Sequence, residues 1–176
     1  MFIAQEKKKN NILEYILYMW QVENIIRACR FDINIIKSNV ISQYGLTEND
    51  KELVVDWYSD LIHQMKSQNL QQSGHLAFTR DIITELALLH QTLLKNFQDK
   101  SYNPLYNNAK ADIYDLQKKQ PNNATEIEAC VNGMFSLWIL KLEKKEISQE
   151  TQKSFQRISK MLTRLGKNYH EMMKQK

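Results

Sequence analysis

Apolar side chains recur along most of the chain at intervals of three and four residues, the period of an α-helix. The pattern is clear in the stretch containing Val54, Trp57, Leu61 and Met65, where apolar positions follow one another at helical spacing. Read in this way, the sequence predicts about seven helices. Their approximate ranges are 4–29, 32–44, 48–68, 76–97, 103–119, 125–145 and 148–172.

Short polar motifs mark several of the predicted helix ends. The stretches that begin at Thr47 and Thr125 each place an acid three residues after the hydroxyl, which is the pattern of a capping box. Ser148 is predicted to cap the last helix, and Pro104 stands where proline is favoured, at a first helical position. Gly45 is predicted to end the second helix in a left-handed cap.

The composition supports a fold made only of helices. The 176 residues include 4 glycines and 2 prolines, too few for the many turns of a β-sandwich or barrel. A chain of this length corresponds to one domain. We therefore predict an all-α protein with one domain over residues 1–176. Because the predicted helices alternate between long and short, we expect an irregular bundle of six or seven helices rather than a simple four-helix bundle.

Charge is distributed unevenly along the chain. Residues 1–88 have a net charge of −2, whereas residues 89–176 have a net charge of +6. The third predicted helix is acidic over 47–60, and the last predicted helix has no acid over 151–170. Five basic residues of that last helix are spaced four and three apart, so they share one face: Lys153, Arg157, Lys160, Arg164 and Lys167.

This basic face has three interpretations. It is either a solvated surface, a partner-binding surface that meets the acidic helix of another copy, or a site for nucleic acid or an anionic membrane. A nucleic-acid site should carry more charge and a recognisable binding motif, so we expect nucleic acid to be a weak partner at most. We expect no membrane association, because the bundle consumes the apolar face of the helix.

The chain is expected to be cytoplasmic. The apolar run over 12–22 is interrupted by Glu14 and Gln21, and it is shorter than the roughly 20 residues needed to span a bilayer. It also lacks the pattern of a secretory signal. Cys29 and Cys130 are far apart in sequence, and we expect two buried thiols in a reducing compartment.

No motif for catalysis, for a cofactor or for a metal stands out. The four glycines cannot form a phosphate-binding loop, and no nucleophile motif is present. Asp60 and His63 form a single carboxylate–histidine pair, whereas a di-iron bundle needs two such motifs. We therefore predict no catalytic residue, no metal ligand and no cofactor.

One polar group on the first predicted helix could bind a small ligand. Glu23 and Arg27 are one helical turn apart, and Trp20 lies one turn before Glu23. His75 follows Gly74 at a junction between a loop and a helix. If these side chains converge, a ligand pocket becomes credible. The alternatives are a partly buried ion pair that fixes helix packing, and a glycine that supplies an unusual backbone angle.

Several stretches of the sequence resemble a family of domains of unknown function found in anaerobic gut bacteria. The resemblance covers nearly the whole chain and implies a stand-alone, all-α cytoplasmic protein, but it implies no activity and transfers no catalytic residue. Asn24 stands where an acid is expected in that family. The stretches that carry the resemblance are 6–8, 14–23, 26–27, 74–76, 144–148 and 150–152.

The sequence therefore predicts a non-enzymatic helical interaction protein of unknown specific role, which self-associates through one helical face. The first alternative is a small-ligand-binding protein or enzyme with a polar pocket near Glu23, Arg27 and His75. The second alternative is a weak nucleic-acid binder that uses the basic face of the last helix.

Overall fold

The structure, a computed structural model, describes residues 2–120 and 124–174. Over these residues the secondary structure is helical, with eight α-helices and one short 3₁₀ helix, so the all-α prediction is confirmed. The predicted number of six or seven helices is wrong by at least one, because the first predicted helix is two helices. The α-helices are α1 (Phe2–Asn10), α2 (Ile12–Ala28), α3 (Ile33–Asn39), α4 (Glu48–Ser67), α5 (Ala77–Lys95), α6 (Asn103–Gln117), α7 (Glu126–Leu142) and α8 (Gln149–Met173).

The chain divides into two compact units, Met1–Asp81 and Ile82–Lys176, with the boundary inside α5. In unit 1, α2 packs against both α1 and α4, and α3 packs against α4. In unit 2, α6 packs against both α7 and α8, and α7 also contacts α8. Each unit has fully buried large side chains, such as Trp20 and Tyr58 in unit 1 and Tyr102 in unit 2.

The break between α1 and α2 lies at Asn11. This residue has extended backbone angles, and its side chain accepts hydrogen bonds from the backbone N–H groups of Leu13 and Glu14. A short amide side chain that bonds the backbone in this way favours a new helix start over helix continuation. The apolar pattern does not reveal the break, because residues 5–11 are all polar or charged and no apolar residue marks where one helix ends and the next begins.

The prediction for Gly45 is also wrong. The helix α3 ends at Asn39, and the chain continues into the 3₁₀ helix Ile41–Gln43. Gly45 lies outside both elements, and its backbone is not left-handed. The turn instead ends at Tyr44, whose N–H donates to the carbonyl of Ile41, so no left-handed cap is needed.

The three predicted cap residues are confirmed, whereas Pro104 is the second residue of its helix and not the first. The hydroxyls of Thr47, Thr125 and Ser148 each accept a hydrogen bond from the backbone N–H three residues later. Pro104 lies in the first turn of α6. These caps satisfy donors that a helix leaves without partners, which is why the sequence locates them well.

The three long helices of unit 2 approach closely at Gly133. A Cβ atom at this position would lie 2.9 Å from a methyl group of Leu116 on α6 and 3.1 Å from the ring of Phe155 on α8. Glycine therefore allows α7 to pack against both neighbours. The ring of Phe155 is thereby fixed beside α7, where it lines the groove described below.

Both cysteines are buried and free, which confirms the expectation of two buried thiols. Burial raises the pKa of the Cys130 thiol to about 12, and the nearby Glu126 carboxylate adds to the shift. A thiol with such a pKa is protonated at neutral pH and is a poor nucleophile.

Candidate functional site

The polar residues singled out on the first predicted helix do converge in unit 1. Glu23 is 0% exposed, and its carboxylate lies at the centre of the cluster. Its Oε2 is 2.6 Å from His75 Nδ1, and its Oε1 accepts the backbone N–H of Leu76 at 3.0 Å. The imidazole of His75 stacks on the indole of Trp20, with 3.8 Å between ring centroids.

Arg27 holds the loop between α4 and α5. Its Nε donates to the carbonyl oxygen of Leu70 at 3.1 Å, and one terminal nitrogen donates to the carbonyl oxygen of Gly74. The other terminal nitrogen donates to Asn24 Oδ1 at 3.0 Å. The Glu23 carboxylate lies 4.0 Å away. Burial lowers the pKa of Arg27, and the charge of Glu23 opposes that shift.

These contacts make the cluster a tie between α2 and the loop that precedes α5. Gly74 has a φ of +88°, a conformation that glycine adopts without steric cost. The backbone there turns so that the Gly74 carbonyl reaches Arg27 and the Leu76 amide reaches Glu23. Because Arg27 and Glu23 find their partners within the protein, the arrangement serves first to hold the loop in place.

The five basic residues of the last helix differ in their surroundings. Arg157 makes a two-point ion pair with Asp112 on α6, with N–O distances of 2.6 and 2.7 Å. These hydrogen bonds lower the pKa of the Asp112 carboxyl. Arg164 is half-buried. The exposed cations of the predicted face are the three lysines, Lys153, Lys160 and Lys167.

A groove of about 580 Å³ lies along α7 and α8 and reaches the segment between them. Its apolar lining includes Met134, Leu137 and Phe155. Its basic lining consists of Lys141, Lys145 and Lys160, and none of the lining residues that the structure describes is acidic. Lys145 also pairs with Glu143 at 2.7 Å. The groove thus combines an apolar surface with a positive charge.

The sequence-based reasoning identified only Lys160 among the residues of this groove. The helical spacing of the apolar residues on α7 predicts core positions. Leu137 is buried, as a core position should be, whereas Met134 and Phe155 are half-buried. Their exposure depends on how α7 packs against α8, which the sequence does not determine. The only available signal was the lysines around the end of α7.

A second polar cluster lies in unit 2, and no sequence pattern predicts it. His90 on α5 is 1% exposed, and both of its ring nitrogens have partners. Its Nε2 is 2.8 Å from Glu126 Oε2, and its Nδ1 is 2.6 Å from the Tyr102 hydroxyl. The Tyr106 hydroxyl donates to Glu126 Oε1 at 3.1 Å. The hydrogen bond from His90 lowers the pKa of Glu126, although burial opposes the shift.

No described group of three or more histidine, cysteine, aspartate or glutamate side chains is placed to hold a metal ion. Across the residues that the structure describes, no helix is both long and apolar enough to cross a membrane.

Over the described residues, the fold and its polar clusters therefore define an all-α protein with two partly buried glutamate–histidine pairs and a surface groove lined by lysines. The chain belongs to the family described as "Domain of unknown function (DUF4924)", which matches residues 1–176. The resemblance to a domain-of-unknown-function family is confirmed at this level. No curated protein and no solved structure matches the chain.

Proposed function

We propose that this is a non-enzymatic interaction protein that self-associates, with α4 of one copy bound in the α7–α8 groove of another. The observation that carries the proposal is the groove itself, whose lining, as far as the structure describes the chain, has an apolar surface, three lysines and no acidic residue. A groove of this kind suits an amphipathic helix with acidic residues beside an apolar one.

The helix α4 has the complementary chemistry. Glu52 and Asp56 are exposed and lie one turn apart, so both carboxylates project from one face. Leu53 is 45% exposed and provides an apolar side chain next to them. Glu48 is already paired with Lys51 at 2.7 Å, so it contributes less to the interaction. Charge complementarity of this sort mainly determines orientation and partner choice.

The proposed contact joins two different surfaces, one from each copy. Such a contact leaves one free groove and one free helix on every pair, so it forms a ring if the rotation closes and a chain if it does not. We therefore expect the assembly size to rise with protein concentration. Assembly should weaken as salt increases, because exposed charges are screened over about 10 Å at 0.1 M ionic strength.

The first experiment measures assembly mass against concentration by sedimentation velocity for two charge-reversed proteins. The groove variant is Lys141→Glu with Lys160→Glu, and the helix variant is Glu52→Lys with Asp56→Lys. Each should need at least about tenfold more protein for half-assembly, which corresponds to a loss of about 1.4 kcal/mol. The matched control, Lys153→Glu with Lys167→Glu, reverses two exposed charges of α8 outside the groove lining and should assemble like the unmodified chain.

Mixing the two variants provides the decisive test. The acidic groove of one variant then faces the basic helix of the other, and the remaining groove and helix keep their native charges. The mixture should assemble although neither variant does alone. A monomer at every concentration, or a mixture that does not assemble, overturns the proposal. Retention of the native protein on DNA that moderate salt abolishes, with no assembly, favours the nucleic-acid alternative.

The small-ligand alternative near Glu23, Arg27 and His75 is favoured by one observation, the convergence of these side chains. Native mass spectrometry of protein purified from cells tests it, because a bound small molecule adds mass. The extra mass should disappear in Arg27→Met if the guanidinium contacts the ligand. We also propose a bacterial origin and a cytoplasmic location, and the two free buried cysteines support the reducing compartment.

A further inference from the structure

A cleft of about 430 Å³ lies in unit 1, between α1, α2, α4 and the first turn of α5. Its volume falls in the range of about 300–1,000 Å³ typical of small-molecule sites. It does not include Glu23, Arg27 or His75, and it shares no residue with the groove in unit 2. The cleft is therefore a separate candidate for ligand binding.

Three aromatic side chains and a methionine give the cleft an apolar interior. Tyr15 and Met19 on α2 are buried, whereas Trp57 on α4 and Phe78 on α5 are half-buried and form its sides. The rings of Tyr15 and Phe78 are tilted by 34°, with 6.4 Å between their centroids. Burial raises the pKa of the Tyr15 hydroxyl, so this side chain is neutral at physiological pH. Such a surface favours a flat, apolar group.

Two opposite charges line the same cleft. Lys8 on α1 and Asp60 on α4 are both exposed. The Lys8 ammonium lies 5.6 Å from the centroid of the Tyr15 ring, above an aromatic surface. Within the described part of the chain neither residue forms an ion pair, in contrast to the nearby Lys7, which pairs with Glu14 at 2.9 Å. The cleft thus offers one cation and one anion to a ligand.

We propose that this cleft binds a small zwitterion with an aromatic side group, the chemistry of a free aromatic α-amino acid. The ligand carboxylate pairs with Lys8, its ammonium pairs with Asp60, and its ring lies among Tyr15, Trp57 and Phe78. A purely apolar ligand would leave both charges without partners. A ligand with a single charge would use only one of them, so the two charges together select for a zwitterion.

Isothermal titration calorimetry with three related probes tests the proposal. L-phenylalanine carries both charges, 3-phenylpropanoate lacks the ammonium, and 2-phenylethylamine lacks the carboxylate. L-phenylalanine should bind saturably and at least about tenfold more tightly than either analogue, since each analogue loses one charge-assisted contact. Equal affinity for all three probes, or no saturable binding of L-phenylalanine at millimolar concentration, overturns the proposal.

Matched variants locate the binding site. Asp60→Asn should weaken L-phenylalanine binding without changing the affinity for 3-phenylpropanoate, which has no ammonium. Lys8→Gln should weaken L-phenylalanine binding without changing the affinity for 2-phenylethylamine, which has no carboxylate. The controls, Glu52→Gln on α4 and Lys9→Gln on α1, change neighbouring charges outside the cleft and should bind like the native chain. Unchanged L-phenylalanine binding in both cleft variants would overturn the assignment. All of these substitutions are at exposed positions, so the fold is retained.

This proposal is independent of self-association. The helix variant that reverses Glu52 and Asp56 leaves the lining of the cleft intact, so it should bind L-phenylalanine with native affinity even when it no longer assembles. A parallel loss of both properties in that variant would contradict the separation of the two sites.

Discussion

Two glutamate–histidine pairs, one in each unit, differ in which partner is buried. In unit 1 the Glu23 side chain is 0% exposed and the His75 side chain is 26% exposed. In unit 2 the order is reversed, with His90 at 1% and Glu126 at 27%. The buried member is the centre of each cluster. Glu23 contacts the His75 imidazole, accepts a backbone N–H and lies 4.0 Å from the Arg27 guanidinium, whereas His90 connects a tyrosine hydroxyl to a carboxylate.

This difference indicates what each pair does for its unit. A fully buried carboxylate needs hydrogen-bond donors around it, so Glu23 fixes the loop that supplies one of them. A buried imidazole needs one acceptor and one further partner, and Glu126 and Tyr102 provide these from α7 and from the residue before α6. The first pair thus orders a loop, and the second pair connects helices.

The largest effect is expected for Glu23→Ala. Removing this carboxylate leaves the buried Leu76 amide without its acceptor and Arg27 without its ion-pair partner, although Arg27 keeps its hydrogen bonds to the loop carbonyls and Asn24. Breaking a buried pair costs about 3–5 kcal/mol. The free energy of unfolding, measured by urea denaturation, should fall by that amount. Hydrogen exchange at the Leu76 amide should accelerate strongly.

Glu126→Ala is the matched comparison. Its carboxylate is partly solvated, so water can take over some of its hydrogen bonds in the variant. The free energy of unfolding should therefore fall by about 1–3 kcal/mol. Glu14→Ala, at an exposed ion pair with Lys7, should cost less than about 1 kcal/mol. Equal losses for Glu23→Ala and Glu126→Ala would show that the difference in burial has no energetic consequence.

A smaller effect is expected for His90→Phe. The substitution leaves the buried Tyr102 hydroxyl without its hydrogen bond, which costs about 1–3 kcal/mol in unfolding free energy. The double variant His90→Phe with Tyr102→Phe removes both partners of that bond and should recover part of the loss. Differential scanning calorimetry measures both proteins under the same conditions.

The corresponding change in unit 1, His75→Phe, should cost less than His90→Phe. Phenylalanine still stacks on Trp20, and Glu23 keeps its contacts with Arg27 and the Leu76 amide. If His75→Phe proves the more harmful of the two, the half-exposed histidine is the more important one, and the comparison between the units is wrong.

The smallest effect concerns acid stability in unit 2. The pKa of Glu126 is lowered in the folded protein, so its contribution to stability is complete above its ordinary value of 4.5 and is lost as the pH falls through the lowered value. The native chain should therefore be more stable than Glu126→Gln at pH 7, and the difference should shrink below about pH 4.5. Urea midpoints between pH 7 and pH 3 measure this change.

Asp112 provides a second carboxylate with the same sign, because its hydrogen bonds with Arg157 lower its pKa. The difference in unfolding free energy between Asp112→Asn and the native chain should also shrink in acid. It should begin to shrink near pH 3.8, the ordinary pKa of an aspartate. A difference that stays constant over the whole pH range would mean that neither carboxylate has a lowered pKa in the folded state.

The parts of the fold that the sequence predicted depend on short-range interactions. Thr47, Thr125 and Ser148 cap helices through hydrogen bonds to residues three positions away, and the apolar pattern repeats with each turn. The apolar pattern cannot locate the break at Asn11, because residues 5–11 are all polar and the cap lies at the end of that polar run. The predicted cap at Gly45 is wrong because the chain turns earlier, in the 3₁₀ helix Ile41–Gln43.

The sites divide in the same way. The sequence predicts Glu23 and Arg27 as candidate site residues because they are one helical turn apart. It predicts His75 because this residue follows Gly74 beside a helix start. His90 and Glu126 are 36 residues apart, and no local pattern joins them. The groove on α7 and α8 and the cleft around Trp57 combine residues from several helices, and each residue taken alone is typical of a helix surface or core.

The sequence by itself therefore determined the helical class, most helix boundaries and the separation of negative and positive charge, because these depend on neighbours along the chain. The tertiary structure alone decided that Arg157 is bound to Asp112 while Lys160 lines a groove, and that a glutamate meets a histidine in each unit. Those outcomes depend on which helix faces pack together, a property of contacts between residues far apart in sequence.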